Sequence, residues 1–168
     1  SGSYAEYAVA NADAVYALPQ NLSFPQGAAV GVPYSTAYCA LMFKGSAKPG
    51  DVVLVHGASG GVGLAALPIC RVLGFKAPGT AGTPEGLELV RAQGAEAFDH
   101  HTPDYLQDIV GFNCGRGPDV ILEMLANVNL PKDLGIIASG GRVVIIGNRG
   151  ETTIDPRMIM TKQSSIHG

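Results

Sequence analysis

Tryptophan is absent from the chain, and Phe and Tyr contribute only five and six residues, so the core has to be built from aliphatic side chains. There are enough of them: 46% of residues are hydrophobic and 15% charged, as in an ordinary folded α/β domain of this length. Cysteine is scarce. Cys39, Cys70 and Cys114 are odd in number and sit in apolar or loop contexts, which argues against a disulfide framework and makes a reducing cytoplasm the expected compartment. A buried single thiol is expected to be a small core residue rather than a nucleophile. No cluster of Lys or Arg exceeds two neighbours and the formal net charge is −3, so there is no basic footprint for nucleic acid or an anionic membrane. Long apolar runs are missing too. Stretches such as Val143–Ile146 are far too short to span a bilayer, and no secretory h-region opens the chain. An initiating Met is lacking; Ser1-Gly2-Ser3 and Ser164–Gly168 read as cuts, which suggests a domain taken from something larger.

What the chain has in quantity is glycine, 23 residues. Tight strand-to-helix turns use such residues. Tyr4–Val9 alternates like a strand and Val15–Leu18 is a second strand candidate, stopped by Pro19. Ser23 followed by Gln26 reads as a capped helix start, Ser35–Phe43 as an apolar helix ended by Gly45, and Lys48–Asp51 as a turn. From there strands and helices alternate. Expected strands are Val52–Val55, Lys76–Thr80, Ala97–Phe98, Val120–Leu122 and Arg142–Ile146. Expected helices are Val62–Leu73, Pro84–Gln93 behind Thr83, Pro103–Val110 behind Thr102, and Leu130–Ala138 behind Asn129. This order predicts an α/β, Rossmann-type doubly wound parallel sheet with right-handed crossovers. Pro68 inside a helix, Pro78 inside a strand and Gly135 inside a helix run against these assignments.

The strongest chemical signal is strand, glycine loop, helix across residues 52–73. Gly57, Gly60 and Gly63 have G-x-x-G-x-x-G spacing. Gly60 and Gly61 let backbone approach a diphosphate, the helix N-terminus turns unpaired N–H groups toward it, and Gly63 lets helix pack on strand. A dinucleotide is therefore expected. An NAD site carries an acid about 20 residues further on; that region, Gly79-Thr80-Ala81-Gly82-Thr83, has none. Small residues and hydroxyls there leave room for a 2′-phosphate, which favours NADP(H), and Glu85 falls in the next helix's first turn. His100 and His101 follow the third strand and either meet the adenosine end or are plain loop residues. His56 is expected to be a packed residue, and Asn129 an N-cap that also reaches the cofactor. Gly147-Asn148-Arg149-Gly150 either lines the cofactor groove or merely turns the chain. No Ser/His/Asp triad or pair of catalytic carboxylates is evident, and no Cys/His set has zinc spacing, so no metal is expected.

Several stretches resemble one family: Tyr4–Tyr7, Gly27–Ala29, Thr36–Tyr38, Val53–Gly63, Gly79–Thr83, Glu123–Leu130 and Gly140–Val143. They are similar to the zeta-crystallin family of NADPH:quinone oxidoreductases, zinc-independent members of the medium-chain dehydrogenase/reductase superfamily. The resemblance implies a GroES-like catalytic lobe beside a Rossmann lobe, with residues 1–22 a remnant of the first and 23–168 the second, incomplete at its C-terminal end. It implies hydride or electron transfer from NADPH to quinones or activated enones in the cytoplasm, by a dimer or tetramer. Carried over by motif, Ser59, Gly60, Gly61 and Val62 hold the diphosphate, and Gly82 and His100 lie by the adenosine phosphate. Asn129, Ile146, Gly147, Asn148 and Arg149 line the rest of the groove, and Thr36 approaches the nicotinamide. The tyrosine that lines the family's substrate site is missing, so the chain is read as the cofactor half, with no catalytic residue assigned. The competing reading is a non-catalytic NADPH-binding module, either a structural crystallin or an AU-rich RNA-binding protein; the acidic balance counts against the latter.

Overall fold

The computed structural model describes residues 4–168. Ser23 opens the first helix through a reciprocal capping box with Gln26, and α1 runs Phe24–Tyr38. It continues without a break into a π-helical turn, Cys39–Lys44, before Gly45. The two segments expected at Ser23 and at Ser35–Phe43 are thus one helix, which Pro33 does not interrupt.

The remaining elements alternate strictly: β1 (Val53–Val55), α2 (Gly61–Leu73), β2 (Gly79–Ala81), α3 (Pro84–Ala92), β3 (Ala97–Asp99), α4 (Tyr105–Phe112), β4 (Val120–Glu123), α5 (Ala126–Ile136), β5 (Arg142–Ile145), α6 (Pro156–Lys162) and β6 (Ser165–His167). The strands form one all-parallel sheet in the order β3-β2-β1-β4-β5-β6, so the fold is the expected Rossmann-type α/β sheet. Strand alternation divides the core. Val53 and Val55 face one layer with Leu41, Leu67, Cys70 and Val90, while Leu54 faces the other with Ile109, Ile121, Leu134 and Val143. Cys70 is fully buried, and desolvation pushes its thiol up to about 12; Cys39 and Cys114 are exposed. Among the described residues no helix is long and apolar enough to cross a membrane.

Several expectations are corrected. Tyr4–Val9 and Val15–Leu18 form no strand. No described strand lies beside them, and Tyr4, Tyr7, Val9, Val15 and Tyr16 are exposed, so nothing pairs their backbone or buries a face. The second strand is shorter than expected. Lys76 makes an isolated bridge to Val52, and Pro78, with no N–H to give, separates it from β2. Helix α4 starts two residues late because Asp104, at φ +62°, turns the chain before it. Helix α5 starts four residues early at Ala126 with Leu125 as its cap, so Asn129 is not an N-cap but lies within the first turns. Helix α6 and strand β6 had no strong periodic signal.

Candidate functional site

The glycine loop leaves β1 at the carboxyl edge of the sheet. Gly57 adopts φ +55°, a left-handed conformation that suits glycine, and its carbonyl accepts Gly60 N–H at 2.9 Å. Two further glycines make space for Ala58. A Cβ on Gly63 would stand 2.5 Å from Ala58 Cα, and one on Gly79 would stand 2.6 Å from Ala58 Cβ. The loop therefore sits flat against both β2 and α2. Helices α1, α3 and α6 begin with a side-chain cap, from Ser23, Thr83 and Asp155; α2, α4 and α5 do not, and of these α2 has a glycine, Gly60, as its N-cap. Gly60 and Gly61 are exposed and Ser59 and Val62 half-buried. This is an open helix N-terminus with glycine on its approach, suited to an anion.

The turn after β2 carries no carboxylate, and Glu85 is exposed in the first turn of α3, as expected. Its hydroxyls, however, are not free. Thr80 is buried, with Oγ1 accepting Gly57 N–H at 3.2 Å and facing His56 Nδ1 at 3.3 Å, while Thr83 Oγ1 accepts Gly86 N–H at 3.0 Å. Strand alternation turns the first inward, and helix capping uses the second. What the turn offers is Gly82 beneath two imidazoles. A Cβ there would lie 2.5 Å from His100 Nε2 and 2.9 Å from His101 Nε2. The His100 and His101 rings meet edge-on at 4.4 Å. Burial, then the His101 neighbour, hold His100 below the ordinary imidazole pKa, against the pull of Asp99.

A cleft of about 280 Å³ opens beside this turn, with His100, Gly57, Asn129, Leu125, Tyr105 and Lys132 among its walls. A second, of about 470 Å³, is lined by Thr36, Cys39 and Lys44 with Val144–Ile146 at the end of β5. Thus Asn129 and His100 share one cleft, Thr36 and Ile146 the other, both at the carboxyl edge of the sheet. The Gly147–Arg149 turn is stapled to α5: Asn127 N–H donates to Asn148 Oδ1 at 3.0 Å and Arg149 N–H to Asn127 Oδ1 at 3.1 Å. Gly147 is required there, since a Cβ would strike the Met124 carbonyl oxygen.

Beneath the first cleft lies a polar cluster that the sequence did not single out. His56 is packed, as expected, but its Nε2 lies 2.9 Å from Asp133 Oδ1 and 3.6 Å from Glu123 Oε2. All three residues are buried. Burial alone would lower His56, but the hydrogen bond and charge of Asp133, with Glu123 beyond, outweigh it and raise its pKa. Burial raises the Glu123 carboxyl to about 7, against the His56 charge and with Asp133 adding to the rise. Glu123 Oε1 accepts the Leu125 N–H and, at 3.2 Å, the Asn129 side-chain amide. The signal available in the sequence was an acid ending an otherwise apolar central strand, Val120–Glu123.

Comparison with known proteins agrees with this architecture. Residues 61–168 match a family model described as zinc-binding dehydrogenase. The chain is 54% identical over 169 residues to quinone oxidoreductase from Homo sapiens, covering 100% of the chain and 51% of that protein. It thus spans about half the length of the curated relatives it matches. Among solved structures, the quinone oxidoreductase from Thermus thermophilus, also solved in complex with NADPH, superposes with a TM-score of 0.82 at 34% identity, over 93% of this chain and 50% of that one. The nucleotide-binding subdomain of the enoylreductase domain of PpsC from Mycobacterium tuberculosis superposes with a TM-score of 0.74 at 32% identity, over 82% of this chain and 78% of that one.

Proposed function

The chain belongs to the zinc-binding dehydrogenase family, and from its glycine cradle we propose that it is the NADP(H)-binding part of a quinone oxidoreductase. The observation that carries this reading is an uncapped α2 N-terminus, packed on Ala58 through Gly63 and Gly79, beside an acid-free turn after β2. In this reading residues 23–168 are the cofactor domain, and residues 1–22 belong with a GroES-like lobe.

Ser59, Gly60, Gly61 and Val62 hold the diphosphate: the N–H groups at Ser59, Gly61 and Val62 donate to it, and Gly60, whose own N–H goes to the Gly57 carbonyl, lets it approach the backbone. Gly82 brings the adenosine phosphate close to backbone, and His100 pairs with it. Asn129, Ile146, Gly147, Asn148 and Arg149 line the rest of the groove, and Thr36 flanks the nicotinamide. Bound there, NADPH supplies a hydride for quinones or activated enones. What this chain does for that chemistry is hold and orient, which alone lowers a barrier by several kcal/mol when geometry is right, on the order of 7–11 kcal/mol at best. The substrate class, a dimeric or tetrameric assembly and a cytoplasmic location follow from the same reading.

The family description carries zinc, and the donor chemistry here does not fit it. Among the described residues, the group of three His, Cys, Asp or Glu side chains able to meet at one ion is His56–Glu123–Asp133. It contains no cysteine and a single imidazole, whose Nε2 already lies 2.9 Å from Asp133 Oδ1, unlike the cysteine- and histidine-rich sets that hold zinc. No step is assigned to a metal.

Titration calorimetry with NADPH and NADH tests the proposal. Tighter binding of NADPH is expected; equal affinity, or no affinity for NADPH, overturns it.

A further inference from the structure

Two oxygens in the floor of the first cleft, Glu123 Oε2 and Asp133 Oδ2, are buried and without a hydrogen-bond partner. Both residues are fully buried. Ionised, both atoms are acceptors only, so both stay unsatisfied. The imidazole does not resolve this. The single Nε2 proton of His56 goes to Asp133 Oδ1 at 2.9 Å, while Glu123 Oε2 stands 3.6 Å away. One oxygen of each carboxyl and one ring nitrogen of His56 lie within 4.8 Å of one another, and a hydrogen bond between the two carboxyls is among the causes that raise Glu123. A proton on Glu123 Oε2, donated to Asp133 Oδ2, satisfies both orphans at once. It also neutralises the cluster when His56 is charged, whereas two bare carboxylates leave an uncompensated buried negative charge. The groups facing the cluster are the Tyr105 phenol on α4, His100 after β3 and, on Asp133's own helix α5, the exposed Lys132.

We infer that Glu123 and Asp133 share one buried proton beside the His56 imidazole, and that this proton tunes how tightly the cleft above binds an anionic dinucleotide. The second half rests on the NADP(H) reading. The linkage is short. Glu123 Oε1 holds Leu125 N–H and the Asn129 amide, both in the cleft wall, and His56 reaches the glycine loop through Thr80, whose Oγ1 holds Gly57 N–H. Protonation removes one negative charge beneath a site for an anion, so affinity rises with acidity. The Glu123 carboxyl at about 7 places the exchange near neutral pH.

Infrared spectroscopy of the intact, cofactor-free protein reads the proton directly. A protonated-carboxyl band that titrates near neutrality is expected, and Glu123→Gln, whose amide donates to Asp133 in the proton's place, should lose it while keeping the fold. The NADPH Kd should rise by up to about tenfold per pH unit through neutrality, as one linked proton allows. Glu123→Gln should flatten that slope. A His100→Gln background separates it from the surface imidazole. Lack of the band in the wild type, or a stoichiometric divalent cation in the purified protein, overturns the shared proton. A titrating band with a flat NADPH affinity overturns the coupling. Lack of NADPH binding at every pH sinks the dinucleotide reading instead, and the ligand-free band still decides the proton.

Discussion

Gly63, three residues into α2, lies against the backbone of Ala58, so close that an added Cβ would stand 2.5 Å from Ala58 Cα. Neither partner is the end of a flexible side chain, so Gly63→Ala should force helix and loop apart and cost about 1–3 kcal/mol by overpacking. A Cβ on Gly61 meets only Pro33 Cγ, at 3.7 Å. Gly61→Ala should therefore leave Tm near the wild-type value yet weaken NADPH binding, since its methyl stands where the diphosphate is proposed. Thermal melts with and without NADPH separate the two effects.

His100 is expected to discriminate between the two cofactors. Its pairing with a 2′-phosphate is a charge-assisted hydrogen bond of about 1.5–3 kcal/mol. His100→Ala should lower NADPH affinity by roughly one to two decades and leave NADH almost unchanged. Because its pKa lies below the ordinary imidazole value, the preference for NADPH should grow as pH falls. Competitive calorimetry across pH checks both statements.

Stability without cofactor should follow the buried carboxyl. Glu123 is raised from 4.5 to about 7 by burial in the folded state, so that between those values the folded protein holds a proton the unfolded chain has released. Stability is then greatest on the acid side of this window and declines as pH rises through it. The raised His56 pKa acts in the same direction near neutrality. Glu123→Gln should remove the Glu123 part of the decline. Urea melts at a series of pH values would falsify this if wild type and variant ran parallel.

Arg142 ties β5 to the segment that leads from α1 into β1. Its Nε donates to the Gly45 carbonyl at 2.7 Å, and one terminal nitrogen to Asp51 Oδ2 at 2.7 Å and Ser46 O at 3.3 Å. Arg142→Ala should cost about 2 kcal/mol. Arg142→Lys should recover only part of this, since an ammonium cannot reproduce the guanidinium fork. Chemical denaturation of the three proteins distinguishes the outcomes.

Helix α2 runs through Pro68 to Leu73. The proline deprives one helical carbonyl of its N–H partner. Pro68→Ala should therefore stabilise the protein, by up to about 3 kcal/mol less whatever the ring contributes to the apolar cleft it lines with Tyr34 and Tyr38. A melting temperature at or below that of the wild type would contradict this.

The sheet was legible in the sequence because continuous apolar runs such as Val52–Val55 and Val120–Leu122 have no explanation but burial on both faces. Glycine spacing and the Ser23 and Thr83 caps fixed three helix starts for reasons of backbone chemistry. Where the signal was a single residue it misled. Asn129 looks like a cap, but its amide is directed to Glu123 from inside α5. Tyr4–Val9 alternates like a strand, but alternation forms one only where a neighbour completes the hydrogen bonds. The cluster under the cleft was invisible for a related reason: His56 and Asp133 are 77 residues apart, and only the sheet order joins them.

That separation has a consequence for how the chain folds. The glycine loop precedes its supports along the chain: β1 pairs with β4 through Val53–Val120 and its neighbours, and with β2 at Val55–Gly79. Every strand pair is parallel, so each requires a crossover before it rewards the closure entropy, and non-local pairing of this kind slows folding. The cradle's last supports, Glu123 and Asp133, emerge from the ribosome well after the loop they steady. Although the glycine loop is synthesised before β4 and α5, it acquires its final shape only after they are in place.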